Sequence, residues 1–172
     1  IADTLKISLG DMGFAAGAFV VAYGLFELPA GHWGDRYGSR GVLTRIVVWW
    51  SAFTMLTGVA TGLGMLIGIR FLFGAGEAGV TAPSVSVLAD YYPPERRPIA
   101  MALFTCNGPF GVFVGAAFGA WAASTIGWRN AFLLIGAVGI LLGPLLIWLV
   151  REPARGQMDK GASVEPVPFS RA

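Results

Sequence analysis

The stretch PIAMALFTCNGPFGVFVGAAFGAWAASTIGW at residues 98–128 carries no charged side chain, and NAFLLIGAVGILLGPLLIWLV at 130–150 repeats the pattern after Arg129. A bilayer core about 30 Å thick takes roughly 20 apolar residues as a helix. Each stretch meets that length by itself. Working outward, residues 12–26, 46–69 and 78–89 are also free of charge. Region 42–90 is interrupted only by Arg45, Arg70, Glu77 and Asp90, with Thr61 to Gly64 as its natural turn. The expected spans are therefore 12–31, 42–61, 65–88, 98–123 and 129–150. Residues 1–11 form an extracytoplasmic loop ahead of them, and the polar, proline-dotted residues 151–172 begin a cytoplasmic one. The fold class is an all-α membrane protein, a polytopic helix bundle.

Composition agrees. Of 172 residues, 55% are hydrophobic and 13% charged, against about 25% charged in soluble domains. Mean hydropathy is +0.67. So apolar a chain is not disordered, and a soluble fold has too little interior to hide it. The 25 glycines show no three-residue period, which removes collagen. The net charge of +2 is scattered, leaving no footprint for nucleic acid. One cysteine (Cys106) and one histidine (His32) make neither a disulfide framework nor a common metal site. No catalytic constellation stands out, and no cofactor is expected. Ile1 at the start, with no signal peptide ahead of the first apolar run, suggests a fragment.

Lys and Arg in short loops set orientation. Arg36, Arg40, Arg45, Arg96, Arg97, Arg151, Arg155, Lys160 and Arg171 gather on one side, against Lys6 and Arg129 on the other. The 32–41 and 90–97 loops and the C-terminus are expected to be cytoplasmic, in a cell (inner) membrane.

Two charges stay deep in an apolar span. Arg70 and Glu77 are seven residues apart, so on one helix they share a face about 10 Å apart along the axis. An unpaired charge at bilayer depth costs several kcal/mol or more. These two must therefore face partners or a cavity: a structural ion pair fixing register, or a polar site. The enclosed string GAGEAG fits the dinucleotide pattern GxGxxG, but it lacks the preceding strand and the acid about 20 residues on. That match is a decoy.

Weaker signals surround them. Tyr23 is either a cavity-lining or an interfacial tyrosine, and Asn107 can bond a substrate or a neighbouring helix equally well. Gly111, Gly115 and Gly119 recur every four residues, as do Gly139 and Gly143, and both sets predict close helix seams. Gly31-His32-Trp33-Gly34-Asp35-Arg36-Tyr37-Gly38-Ser39-Arg40 predicts a tight charged reversal, with Gly31 and Gly38 supplying freedom for the turn.

That last run resembles the signature loop between helices two and three of the major facilitator superfamily. The resemblance implies a partial six-helix half, helices two to six, of a twelve-helix transporter. The first helix and the C-terminal half would then be partners lying elsewhere in the same protein, all embedded in lipid bilayer. It also implies that Asp35, Arg36 and Arg40 join a gating charge network, with Asp90, Glu95 and Arg96 as partners. Arg70-Phe71-Leu72-Phe73-Gly74-Ala75-Gly76-Glu77 resembles the family's fourth-helix motif. In its organic-anion branch, such an arginine contacts a substrate carboxylate and the acid takes part in proton coupling. Residues 43–58 are similar to the third helix of the anion:cation symporters, whereas residues 88–97 and 151–156 look more like bacterial spinster-like transporters. The function implied is proton-coupled symport of a small organic anion, a sugar acid or hexuronate, with Arg70, Glu77, Tyr23 and Asn107 at the site. The alternatives are a spinster-like or drug-type efflux or lipid carrier, and a truncated membrane module with only an assembly role.

Overall fold

Ser8 and Asp11 cap each other. Asp11 Oδ2 accepts from the Ser8 backbone N–H at 2.9 Å and from its hydroxyl at 2.8 Å, while Ser8 Oγ accepts from the Asp11 N–H at 3.1 Å. This reciprocal box satisfies orphan donors at a helix start. In the computed structural model, a short α1 (Ala2–Leu5) precedes this cap and α2 (Leu9–Tyr37) follows it. The remaining helices are α3 (Ser39–Gly58), α4 (Leu63–Glu77), α5 (Thr81–Tyr91), α6 (Arg97–Thr125) and α7 (Trp128–Leu149). The structure describes the backbone of residues 1–37, 39–149 and 158, and the side chains of these except 31–37. No strand occurs among the described residues.

The stretch 1–11, expected as a loop, holds α1 and the start of α2, and two further expectations need correction. The loop expected at 32–41 is helical as far as Tyr37, and helix resumes at Ser39. Charged residues mark where a helix leaves the bilayer, not where it ends. Pro29 removes one hydrogen bond without terminating α2. Second, the helix expected over 65–88 is two helices. Glu77 is the last residue of α4, Ala78 has ψ 140°, and Gly79 takes φ 78° before α5 begins at Thr81. A positive φ is open to glycine without steric penalty. Pro83 then falls in the first turn of α5, where its missing N–H goes unneeded.

Four helical stretches are long and apolar enough to cross a membrane: Leu9–Ala30, Leu63–Tyr91, Arg97–Thr125 and Trp128–Leu149. The α3 helix carries Arg40 and Arg45 and packs most extensively of all, against α7 on one side and α4 on the other. A helix shielded by neighbours needs less lipophilic surface. The exterior is the reverse of a soluble protein's, with Phe113 73% and Trp148 81% exposed. Such surface belongs in hydrocarbon.

Close approach, not large side chains, holds the seams. A Cβ at Gly136 would lie 2.6 Å from the Ser51 carbonyl, and one at Gly58 would lie 2.7 Å from that of Arg129. Gly139 and Gly143 abut Ser51 and Val48 in the same α3–α7 seam. Gly74 places α4 directly against the Phe19 backbone of α2. Small residues allow this proximity in membranes. By contrast, nothing in the described chain lies within 4 Å of a Cβ at Gly111, Gly115 or Gly119 on α6.

Candidate functional site

Arg70 is half-buried on α4 and borders a cavity of about 350 Å³. Met12, Ala16, Phe19 and Val20 of α2 and Leu66 of α4 line it. The guanidinium carbon stands 6.0 Å from the centre of the Phe132 ring on α7, at the outer limit of a cation–π contact. Tyr23 reaches this region through the Phe19 ring, centroid to centroid 5.9 Å, and Phe19 in turn meets Phe73 at 5.7 Å. The cavity wall is apolar, so a cation at its edge keeps unspent capacity for an anion.

Glu77 lies elsewhere. It borders a second cavity of about 440 Å³ together with Arg40, Thr44 and Trp50 of α3, Ser84 of α5 and Asn107 of α6. The shared-face expectation places Arg70 and Glu77 in one site; the helix packing instead distributes them between two cavities. Asn107 joins Glu77, not Arg70, and donates from Nδ2 to the Phe104 carbonyl.

Part of the expected gating cluster is described. Asp90 is buried at 8% exposure, Arg40 is half-buried, and both have interaction partners. Glu95 and Arg96 are exposed. The side chains of Gly31, Asp35 and Arg36, and Gly38 altogether, lie outside the described residues. Arg97, not singled out by the sequence reading, ties the turn to α5: Nη2 donates to the Ala89 carbonyl at 2.9 Å and Nε to that of Tyr92 at 3.1 Å. Arg129, a loop charge by sequence, likewise has a structural part. Its Nη1 donates to the carbonyls of Gly58 and Ala60, and its guanidinium lies 4.4 Å from the Trp128 ring centre. A helix end at Gly58 with open carbonyls, facing a side poor in cations, was the available signal.

These features define a multi-pass α-helical membrane protein with charged groups bordering cavities between its helices. The family model of the Major Facilitator Superfamily matches residues 1–171, and the chain belongs to that family as part of its fold. The D-galactonate transporter of Escherichia coli O6:H1 is 32% identical over 99% of this chain and 39% of its own length. The probable galactarate/D-glucarate transporter GudP of Bacillus subtilis is 31% identical over 89% of this chain and 36% of its own. The hexuronate transporter of Bacillus subtilis is 27% identical, covering 96% and 39%. Among solved structures, a bacterial homologue of the human lysosomal transporter Spinster, inward-facing and occupied, aligns with TM-score 0.76 at 29% identity. That alignment covers 93% of this chain and 40% of the other. The chain thus spans under two-fifths of the length of these curated relatives.

Proposed function

We propose that this chain is helices two to six of a secondary transporter that carries a small organic anion, such as a sugar acid, in symport with protons. The observation that carries the reading is Arg70: a guanidinium at an apolar cavity in a membrane span, bridged by no acid among the described residues. A buried cation without a protein counter-ion is stabilised by an anionic ligand. Guanidinium matches the carboxylate fork in two parallel hydrogen bonds. The names of the relatives, transporters of galactonate, glucarate and hexuronate, support carboxylated sugars as the substrate class.

In this reading Arg70 binds the substrate carboxylate, Glu77 carries or relays the proton, and Tyr23 and Asn107 line the paths to them. Alternating access rocks this half against a second half around the site. Asp35, Arg36, Arg40, Asp90, Glu95 and Arg96 hold the cytoplasmic gate. The open Gly111–Gly119 face of α6 receives a helix from the rest of the protein. The α2–α3 and α5–α6 junctions and the C-terminus face the cytoplasm.

Competition for uptake by a panel of unlabelled sugar acids and sugars, in cells expressing the full-length protein, tests the substrate class. Sugar acids should compete, and the neutral sugars should not. The likeness to the Spinster homologue favours a second reading, a lipid-type or efflux carrier. Absence of competition by any carboxylate would favour it.

A further inference from the structure

The cavity beside Glu77 has a direction. On α3 its lining residues Arg40, Thr44, Val47 and Trp50 follow one helical face. From Arg40, the second residue of α3, to Trp50 is ten residues. At 1.5 Å per residue that is about 15 Å, half of a bilayer core about 30 Å thick. The opposite wall comes from Glu77 at the α4–α5 break, Ser84 on α5 and Asn107 on α6. At about 440 Å³ the space has room for several waters, each occupying about 30 Å³ in the liquid.

Its polar groups suit a water file. Thr44 Oγ1 donates to the Arg40 carbonyl at 2.9 Å, and Ser84 Oγ donates to that of Val80 at 2.7 Å. Asn107 spends an N–H on Phe104 in the same manner. Both hydroxyl donors are satisfied within their own helices, so the hydroxyl lone pairs, the Asn107 carbonyl oxygen and its second N–H are left to bond water. Among the described lining residues, Arg40 of α3 is the other ionisable group bordering the cavity with Glu77; the α4–α5 break contributes Val80, α5 Ser84, α6 Asn107 and Phe104, and α7 Leu146. Arg70 borders the separate cavity against α2.

We propose that this cavity is a hydrated proton passage linking Glu77 to the Arg40 end of the bundle, separate from the Arg70 substrate site. The inference rests on Glu77 being the proton carrier. In the release step the carboxylic O–H of Glu77 breaks, a passage water takes the proton, and the carboxylate keeps the electron pair. The proton leaves past Ser84 and Thr44 while the substrate uses the other cavity. Two routes let proton and anion part on one face of the membrane without crossing.

Ser84→Leu in the full-length transporter tests this, because it fills the passage without touching Arg70. In proteoliposomes, pH-gradient-driven accumulation of labelled D-galactonate should fall about fivefold or more, while counterflow at equal pH stays within about twofold. Normal accumulation in Ser84→Leu, alongside its loss in Glu77→Gln, would overturn the passage and leave the proton role of Glu77 standing. Normal accumulation in Glu77→Gln would instead remove the proton role itself, and the passage with it. If Ser84→Leu does not reach the membrane, Ser84→Cys in a Cys106→Ser background carries the test. A charged methanethiosulfonate, which reacts with thiols in water, should modify it and spare Leu141→Cys on the exposed apolar face. An unmodified Ser84→Cys would overturn the proposal.

Discussion

Arg70 and Glu77 stand two turns apart on α4 yet border different cavities, Arg70 against α2 and Glu77 against α3, α5 and α6. One helix therefore presents a cation and an acid to two separate spaces, so under the proposed function substrate binding and proton handling should be separable by mutation.

Arg70→Lys keeps the charge and loses the planar fork. Charge-assisted hydrogen bonds contribute about 1.5–3 kcal/mol, so the half-saturating substrate concentration should rise about tenfold or more. Arg70→Gln should abolish uptake of carboxylates with membrane expression retained. Initial-rate uptake across a concentration series, normalised to protein in the membrane, checks both.

Glu77→Gln removes the titratable proton while keeping size and hydrogen-bonding capacity. Counterflow of substrate should persist, and accumulation against a gradient should be lost. Paired counterflow and accumulation assays on the same vesicles read the two quantities separately.

Arg129 closes the C-terminal end of α3 by bonding to Gly58 at 3.0 Å and Ala60 at 2.7 Å. Arg129→Leu leaves those carbonyls open and removes the contact with Trp128. At about 1.5–3 kcal/mol for each charge-assisted bond, a loss of about 3 kcal/mol or more is expected, seen as a clear drop in Tm in detergent. Arg129→Lys should recover part of it.

Gly136→Leu should separate α3 from α7, because the added atoms meet the Ser51 carbonyl and Met55. Overpacking of this kind destabilises by about 1–3 kcal/mol or more. Thermal unfolding should show it, whereas Gly64→Leu, with open space at its Cβ, should leave Tm unchanged.

Charge-free stretches located the apolar helices because a bilayer admits little else, and Gly139 and Gly143 were legible as a seam by their spacing, whereas Gly58 and Gly136 in the same seam were not. What was missed has a physical pattern. The helix through 31–37 was hidden because charge reports exit from the membrane, while backbone hydrogen bonding decides where helix stops. The break after Glu77 was hidden because glycines in an apolar run signal packing as well as positive φ; Pro83 was the discriminating residue. The parting of Arg70 from Glu77 depends on which helices surround α4. Helical periodicity places residues on a face and says nothing of the neighbours each end of that face meets.

The central claim, anion transport driven by protons, is tested most directly by the full-length protein in proteoliposomes with an acid-outside pH gradient of about one unit. A one-proton coupling would then support up to about tenfold accumulation, since one pH unit is equivalent to about 1.4 kcal/mol. Labelled D-galactonate or D-glucarate should rise transiently above equilibrium, and a protonophore should collapse the excess. Uptake that stops at equilibrium whether or not the gradient is present would contradict the claim.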